Sequence, residues 1–248
     1  MSSVLEITEL GMINDIERLN TISNNLANVN TVGYKREIPV TQAFENLLTQ
    51  QAEAAGMRVD NKNIGNRPVV TSYMDLSSGV FKYTGNSLDV AIEGEGFLEV
   101  ANANSVFYTR QGNLVLDSGG RLTTAGGYVV NGMAGEVRLT SNAPRIDELG
   151  RIWENEIQIG QLKLVNFKNP RQLEKLGSGL YIANQMNTTI MENNEVKIRQ
   201  GYLEASNVVM MNEMVNMMEV MRHFETSQRV IKGYDELLDN TIRTLGDF

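Results

Sequence analysis

The sequence predicts an α+β fold, with N- and C-terminal helices forming a coiled-coil-like pair and a central antiparallel β domain looped out between them. Three observations carry that prediction. Apolar residues recur in alternating steps of three and four through the last forty-odd residues. They recur at helical period again through the first thirty. Between these ends the chain breaks into short apolar runs separated by glycine pairs and Asx-Gly turns, a pattern of hairpins rather than helices. The boundaries that follow are 1–34 for the N-terminal helix and its exit, 35–80 for an extended connector, 81–200 for the β domain and 201–248 for the C-terminal helix.

Over residues 3–29, Leu5, Met12, Leu19 and Leu26 stand seven apart with Ile16 and Ile22 beside them, so one helix face is apolar. The helix runs out where Asn24, Asn25, Asn28 and Asn30 crowd into seven positions. Asparagine is a mediocre helix former whose amide both donates and accepts, which suits fixing a bend or holding a neighbouring chain. The competing reading is a frayed polar helix end. Gly33 supplies the exit.

In the connector, Thr41 to Ala55 reads as a short helix, followed by a polar stretch with Gly56, Gly65 and Pro68. Val69-Val70 and Val80-Phe81 read as strands. Further strand-length runs start at Leu88, Phe97, Val106, Leu114, Tyr128 and Leu162, and Asp117-Ser118-Gly119-Gly120 is a turn candidate.

The C-terminal seam passes through Met214, Met217, Met221, Phe224, Gln228, Ile231, Asp235, Leu238, Ile242 and Leu245, with charged residues between. Ser206 or Asn207 is placed to cap its start, and Gly246 stands at its end. A helix of about forty residues is roughly 60 Å long. Such a rod needs a partner, and the first helix is the natural one within the chain. A second stripe of Val208, Val209, Met211, Val215 and Met218 is left over, and it predicts contacts with other subunits. Methionine suits contacts repeated in non-identical surroundings, although ordinary core packing competes for any single one.

Composition removes several classes of function. The net charge is -8 with no local run of lysine or arginine, which argues against nucleic acid as a partner. Cysteine is absent, so there is no disulfide, thiolate ligand or thiol nucleophile. Glu6, Glu9, Asp15 and Glu17 stand where a cleaved signal would be basic and then apolar. No apolar run approaches the about eighteen residues of a membrane span, so direct membrane insertion is not expected. His223 is the sole histidine, with no second ligand to share a metal. Glu93, Glu95 and Glu99 alternate in the manner of paired acids, but a solvent-facing acidic strand is the preferred reading. Gly94-Glu95-Gly96 lacks the third glycine of a dinucleotide fingerprint, and Trp153 reads as packing the β domain. No catalytic, metal or cofactor site is expected.

The stretch Ser23 to Thr31 with Gly33-Tyr34-Lys35 resembles the N-terminal signature of the bacterial flagellar axial proteins, the rod, hook and hook-associated subunits. Asn86 to Phe97, Tyr108 to Asn113 and Leu122 to Tyr128 resemble consecutive blocks of the rod and hook β domain, and Gln200 to Val208 the block leading into the last helix. Residues 37–78 and 134–195 match poorly. The resemblance implies a structural subunit of the basal-body rod, not an enzyme, that polymerises into a helical drive shaft carrying torque from motor to hook. The implied partners are copies of itself, other rod and hook proteins and the flagellar type III export apparatus. The implied location is the periplasmic space, reached without a cleaved signal peptide. Length and the short connector favour a proximal over a distal rod subunit. Alternatives are a distal rod or hook subunit and, from another class, a soluble β-rich ligand-binding domain. The implied assembly residues are the first-helix positions and asparagines named above, together with Val208, Met211, Met214, Val215, Met217, Met218, Met221, Phe224, Ile231, Leu238, Ile242 and Leu245.

Overall fold

The computed structural model describes residues 2–43, 68–102, 105–167, 173–183, 188–190 and 196–246. Helix α1 spans Ser2–Ala27 and helix α2 spans Met210–Gly246. The chain divides into two compact units. A helical unit comprises Met1–Ala27, Glu37–Tyr73 and Val209–Phe248, and a β unit comprises Asn28–Arg36 and Met74–Val208.

In the helical unit α1 packs along α2. The strand Glu37–Ala43 pairs with Pro68–Met74. This corrects one expectation, because Thr41–Ala43 continue a strand instead of opening a helix. Pairing with a partner across the connector outweighs the weak local helix pattern. The rest of that expected helix lies outside the described residues.

In the β unit a ten-stranded sheet has a seven-strand path in the order Glu174–Gly177, Leu180–Ile182, Ser105–Thr109, Phe97–Asn102, Val129–Gly132, Leu122–Thr124 and Leu114–Leu116, with Gly135–Glu136 paired to Val129–Gly132 and Thr188–Ile190 to Leu164–Phe167 off it. Leu164–Phe167 branches from Phe97–Asn102. A separate meander joins Arg145–Ile146, Arg151–Glu154 and Ile157–Gln161. Two ribbons bring the ends of the unit together: Phe81–Tyr83 pairs with Tyr202–Glu204, and Val90–Glu93 with Lys197–Gln200. Phe97–Asn102, Ser105–Thr109 and Leu114–Leu116 fall on runs read as strands, whereas the hairpins Arg151–Glu154 with Ile157–Gln161 and Glu174–Gly177 with Leu180–Ile182 lie where no strand is read from the sequence. Asp117 Oδ1 accepts from Gly119 N and Arg121 N, each at 2.8 Å, and so closes the turn read from its sequence.

Leu98, Val100, Leu114, Leu122, Ile152 and Ile198 fill the main core. A second cluster is aromatic: Phe97 meets Phe167 and Tyr181 edge-on at 5.2 and 5.5 Å, and Tyr108 meets Phe167 at 4.9 Å. Gly112 is obligatory for a steric reason, since a Cβ there would stand 1.6 Å from the Val90 carbonyl oxygen. Trp153 sits in the meander with the Arg151 guanidinium 6.0 Å from its ring centroid, so it reports on this unit.

Leu98 is fully buried, and Leu98→Ala is expected to cost about 3 kcal/mol through lost contact and a residual cavity. Val106 lies in the adjacent strand but is exposed, and Val106→Ala should stay within about 0.5 kcal/mol. Denaturant unfolding followed by Trp153 fluorescence measures both.

Candidate functional site

With no catalytic group predicted, the candidate site is the surface of the paired helices. Two polar contacts set their direction. His223 Nδ1 lies 2.5 Å from Asp15 Oδ2, and Asn25 Nδ2 donates to Glu213 Oε2 at 3.3 Å. The members of the two pairs stand ten residues apart on each helix in opposite senses, so both fit one antiparallel register. On that register Ser2 stands level with residue 236, and α2 continues about three turns further.

Asp15, Asn25 and Glu213 are all buried, at positions an apolar seam would have filled. Polar groups at such positions cost desolvation and are satisfied only in the register that pairs them, so they select one alignment of two otherwise greasy helices. Asn25 does more. Its Oδ1 accepts from Glu37 N at 2.9 Å and its Nδ2 donates to Glu37 O at 2.7 Å, tying the start of the first strand to the end of α1. At this position the amide fixes the bend that follows the helix. Asn28 Oδ1 accepts from Thr31 Oγ1 in the following turn, whereas Asn24 and Asn30 are exposed.

The inner face of α2 differs from the expected seam at alternate positions. Glu213, Met217, Val220, Phe224, Ser227, Ile231 and Tyr234 are the less exposed residues, with Val220 at 2%. Met217, Phe224 and Ile231 are therefore on the seam as predicted, while Met214, Met221, Gln228, Asp235 and Leu238 are displaced to its flank. The cause is the polar pairing: Glu213 must face Asn25, and this turns the inner face by about half a residue step, so the alternate positions shift by one while Met217, Phe224 and Ile231 stay. On α1 the half-buried Leu5, Met12, Leu19 and Leu26 and the buried Ile22 face inward, whereas Ile16 is exposed. The Leu245 side chain lies outside the described residues.

What remains outside is apolar. Met211 is 70% exposed, and Val209, Met214, Val215, Met218 and Met221 are exposed with it. Leu237, Leu238 and Ile242 are exposed on the part of α2 that outruns α1. Val208 is buried, in the β unit. The expected cap is absent: Ser206 Oγ accepts from Val208 N, and Asn207 Oδ1 accepts from Arg36 N at 2.7 Å while its Nδ2 donates to Asp75 O at 2.9 Å. Asn207 is used to hold a distant segment instead of the helix.

The acidic-strand reading is also corrected. Gly94, at φ 110°, turns the chain between Val90–Glu93 and Phe97–Asn102, so Glu93 and Glu99 belong to different strands. Glu93 accepts a bidentate Arg199, and Glu99 is buried against Lys163 at 2.9 Å and Asn131 at 3.0 Å. Only Glu95 is exposed. Cations already occupy two of the three carboxylates.

Comparison with known proteins follows the same map. Residues 5–35 match the family described as "Flagella basal body rod protein". Residues 91–170 match "Flagellar hook protein FlgE/F/G D1 domain", and residues 199–244 match "Flagellar basal body rod FlgEFG protein C-terminal". The chain is 35% identical to the flagellar basal-body rod protein FlgG of Buchnera aphidicola subsp. Schizaphis graminum, over 94% of this chain and 96% of that one. It is 30% identical to FlgG of Bacillus subtilis, over 94% and 95%. It is 25% identical to FlgF of Mesorhizobium japonicum, over 92% of each.

Val220→Asp is expected to separate the helices and lower the far-ultraviolet helical signal of the isolated chain by about half, since it places an unpaired charge in the seam. Met218→Asp, two residues away on the open face, should leave that signal within about a tenth of the parent.

Proposed function

The chain belongs to the flagellar basal-body rod protein family and is a structural subunit of the basal-body rod, and from that premise we propose that its paired helices are a polymerisation surface. The observation that carries this is the second apolar stripe. Met211, Met214, Val215, Met218 and Met221 stay exposed after α1 has taken the inner face. These side chains are 43–70% exposed, so at roughly 2 kcal/mol for full burial of each, covering what remains of the five supplies about 5 kcal/mol. Joining two protein chains costs a comparable amount in lost freedom, about 4–15 kcal/mol. One stripe is therefore marginal alone and adequate when each subunit touches several neighbours. The overrun of α2, with Leu237, Leu238 and Ile242, offers a further contact to the α1 start of another copy.

In this reading the helices form a coiled-coil-like inner layer of a helical tube. The stripe on one copy meets a different face on the next, and a heterologous contact that does not close propagates as a filament. Copies of itself and other rod and hook proteins are the partners, and the tube carries torque across the periplasm. Delivery through the flagellar export apparatus belongs to the same reading. A polymerising structural role gives the protein no enzymatic step.

Along the rod we place the subunit proximally, on its short connector. The higher identities to the relatives named FlgG favour a second reading, a distal rod subunit. Gold labelling of isolated basal bodies separates them: label beside the inner-membrane ring supports the first, and label beside the hook the second.

Met211→Asp with Met218→Asp is expected to abolish rod assembly and swimming while Trp153 fluorescence and helical content stay at parental values. Motility at the parental level in that variant would remove the polymerisation surface from this stripe.

A further inference from the structure

Inside the β unit, stretches far apart in sequence meet around one carboxylate. Lys35 Nζ and Glu204 Oε1 lie 2.7 Å apart, with both side chains 1% exposed. Lys35 Nζ also donates to Ser77 O at 2.7 Å, and Gly79 N donates to Glu204 Oε1 at 2.9 Å. On the other side, Arg110 Nη1 stands 3.5 Å from Glu204 Oε2, and its Nε donates to Gly96 O at 2.8 Å. Its Nη2 donates to Gly94 O. Arg110 Nη1 and Glu204 Oε2 have no hydrogen-bond partner. Two buried cations thus share one buried anion.

The backbone of the segment that follows α1 is seated on the same group. Gly33 N donates to Glu204 O at 2.8 Å. Gly33 has φ 67°, and a Cβ there would lie 2.4 Å from the Arg110 carbonyl oxygen. Tyr34 is buried, with its hydroxyl accepting from Lys175 Nζ at 3.0 Å. Burial, and then the Arg110 charge, hold the Lys35 ammonium below the ordinary lysine range, with Glu204 and Asp75 opposing. Burial lowers Arg110 as well, opposed by Glu204, Tyr181 and Glu95.

We propose that Glu204 is a positioning carboxylate that makes folding of the β unit conditional on docking of the Asn28–Arg36 segment. With the segment away, Glu204 loses its strongest partner, Lys35, and the bond from Gly33. With the segment in place but Glu204 neutral, Lys35 and Arg110 face each other buried, left with the weaker pull of Asp75 on Lys35 and of Tyr181 and Glu95 on Arg110. Either half alone is worse than both, because a buried charge stripped of its partner keeps its desolvation cost. The segment leaving α1 therefore acts as an intramolecular ligand of the β unit. This inference concerns the β unit and stands apart from the polymerisation surface on the helices.

Denaturant unfolding of the full chain, read by Trp153 fluorescence at pH 7 and pH 10, tests it. In Glu204→Gln the folded-to-unfolded ratio at pH 7 should fall about 100-fold or more. What then remains around Lys35 mostly disfavours its charge. A lysine whose folded pKa lies below its unfolded value costs stability at neutral pH, and the cost fades as pH rises through the folded pKa. Glu204→Gln should accordingly regain about tenfold or more by pH 10. Lys35→Met combined with Glu204→Gln should be more stable than Glu204→Gln at pH 7 and show no such recovery. Gly33→Ala, which blocks docking without touching a charge, should lose stability with no alkaline recovery, since Lys35 is then solvated. The proposal is overturned if Glu204→Gln or Gly33→Ala stays within about threefold of the parent. Equal alkaline recovery in the single and double Glu204 variants also overturns it. Should Glu204→Gln be unfolded at pH 7, a folded double variant supports the proposal, and a double variant unfolded at both pH values ends it.

Discussion

The buried pairing of Lys35 with Glu204 is the interaction on which the β unit depends. Ion pairs at a surface contribute little, but a pair at 1% exposure has given up its water and keeps its place only through fixed partners. Those partners come from the segment after α1, from the turn at Ser77 to Gly79 and from Arg110, so one group reports on several distant stretches. The ribbons Phe81–Tyr83 with Tyr202–Glu204 and Val90–Glu93 with Lys197–Gln200 serve the same end, zipping the beginning of the unit to its finish. A domain inserted between two helices must return the chain close to where it entered, and these contacts do that.

The helical unit divides its labour differently. Asp15 with His223, and Asn25 with Glu213, are poor sources of stability but good sources of register, because a slip would strand a carboxylate in the seam. Apolar burial by Ile22, Val220, Met217 and Phe224 supplies the cohesion. Of the methionines in α2, Met217 faces inward while Met211, Met214, Met218 and Met221 are exposed. Flexible side chains of that kind suit the polymerisation surface proposed for this stripe.

Local patterns in the sequence determined the two terminal helices, the strand-rich middle, the turn at Asp117 and the family. Heptad spacing and turn residues act over a few positions, and the signature blocks at Ser23, Asn86, Tyr108 and Gln200 are short and contiguous. Residues 134–170 show no readable block, yet they fall inside the match over 91–170.

Only the tertiary structure decided which face of α2 turns inward. Met214 and Val220 are equally good seam residues by hydrophobicity, and the choice follows from Glu213 finding Asn25 across 188 positions. Nor could sequence spacing reveal that Asn207 holds Arg36 and Asp75 instead of capping a helix, that Glu99 is buried against Lys163, or that Glu204 anchors Lys35 from 169 positions away. Polar side chains have no period. Their roles follow from desolvation, which is set by what the whole chain folds around them.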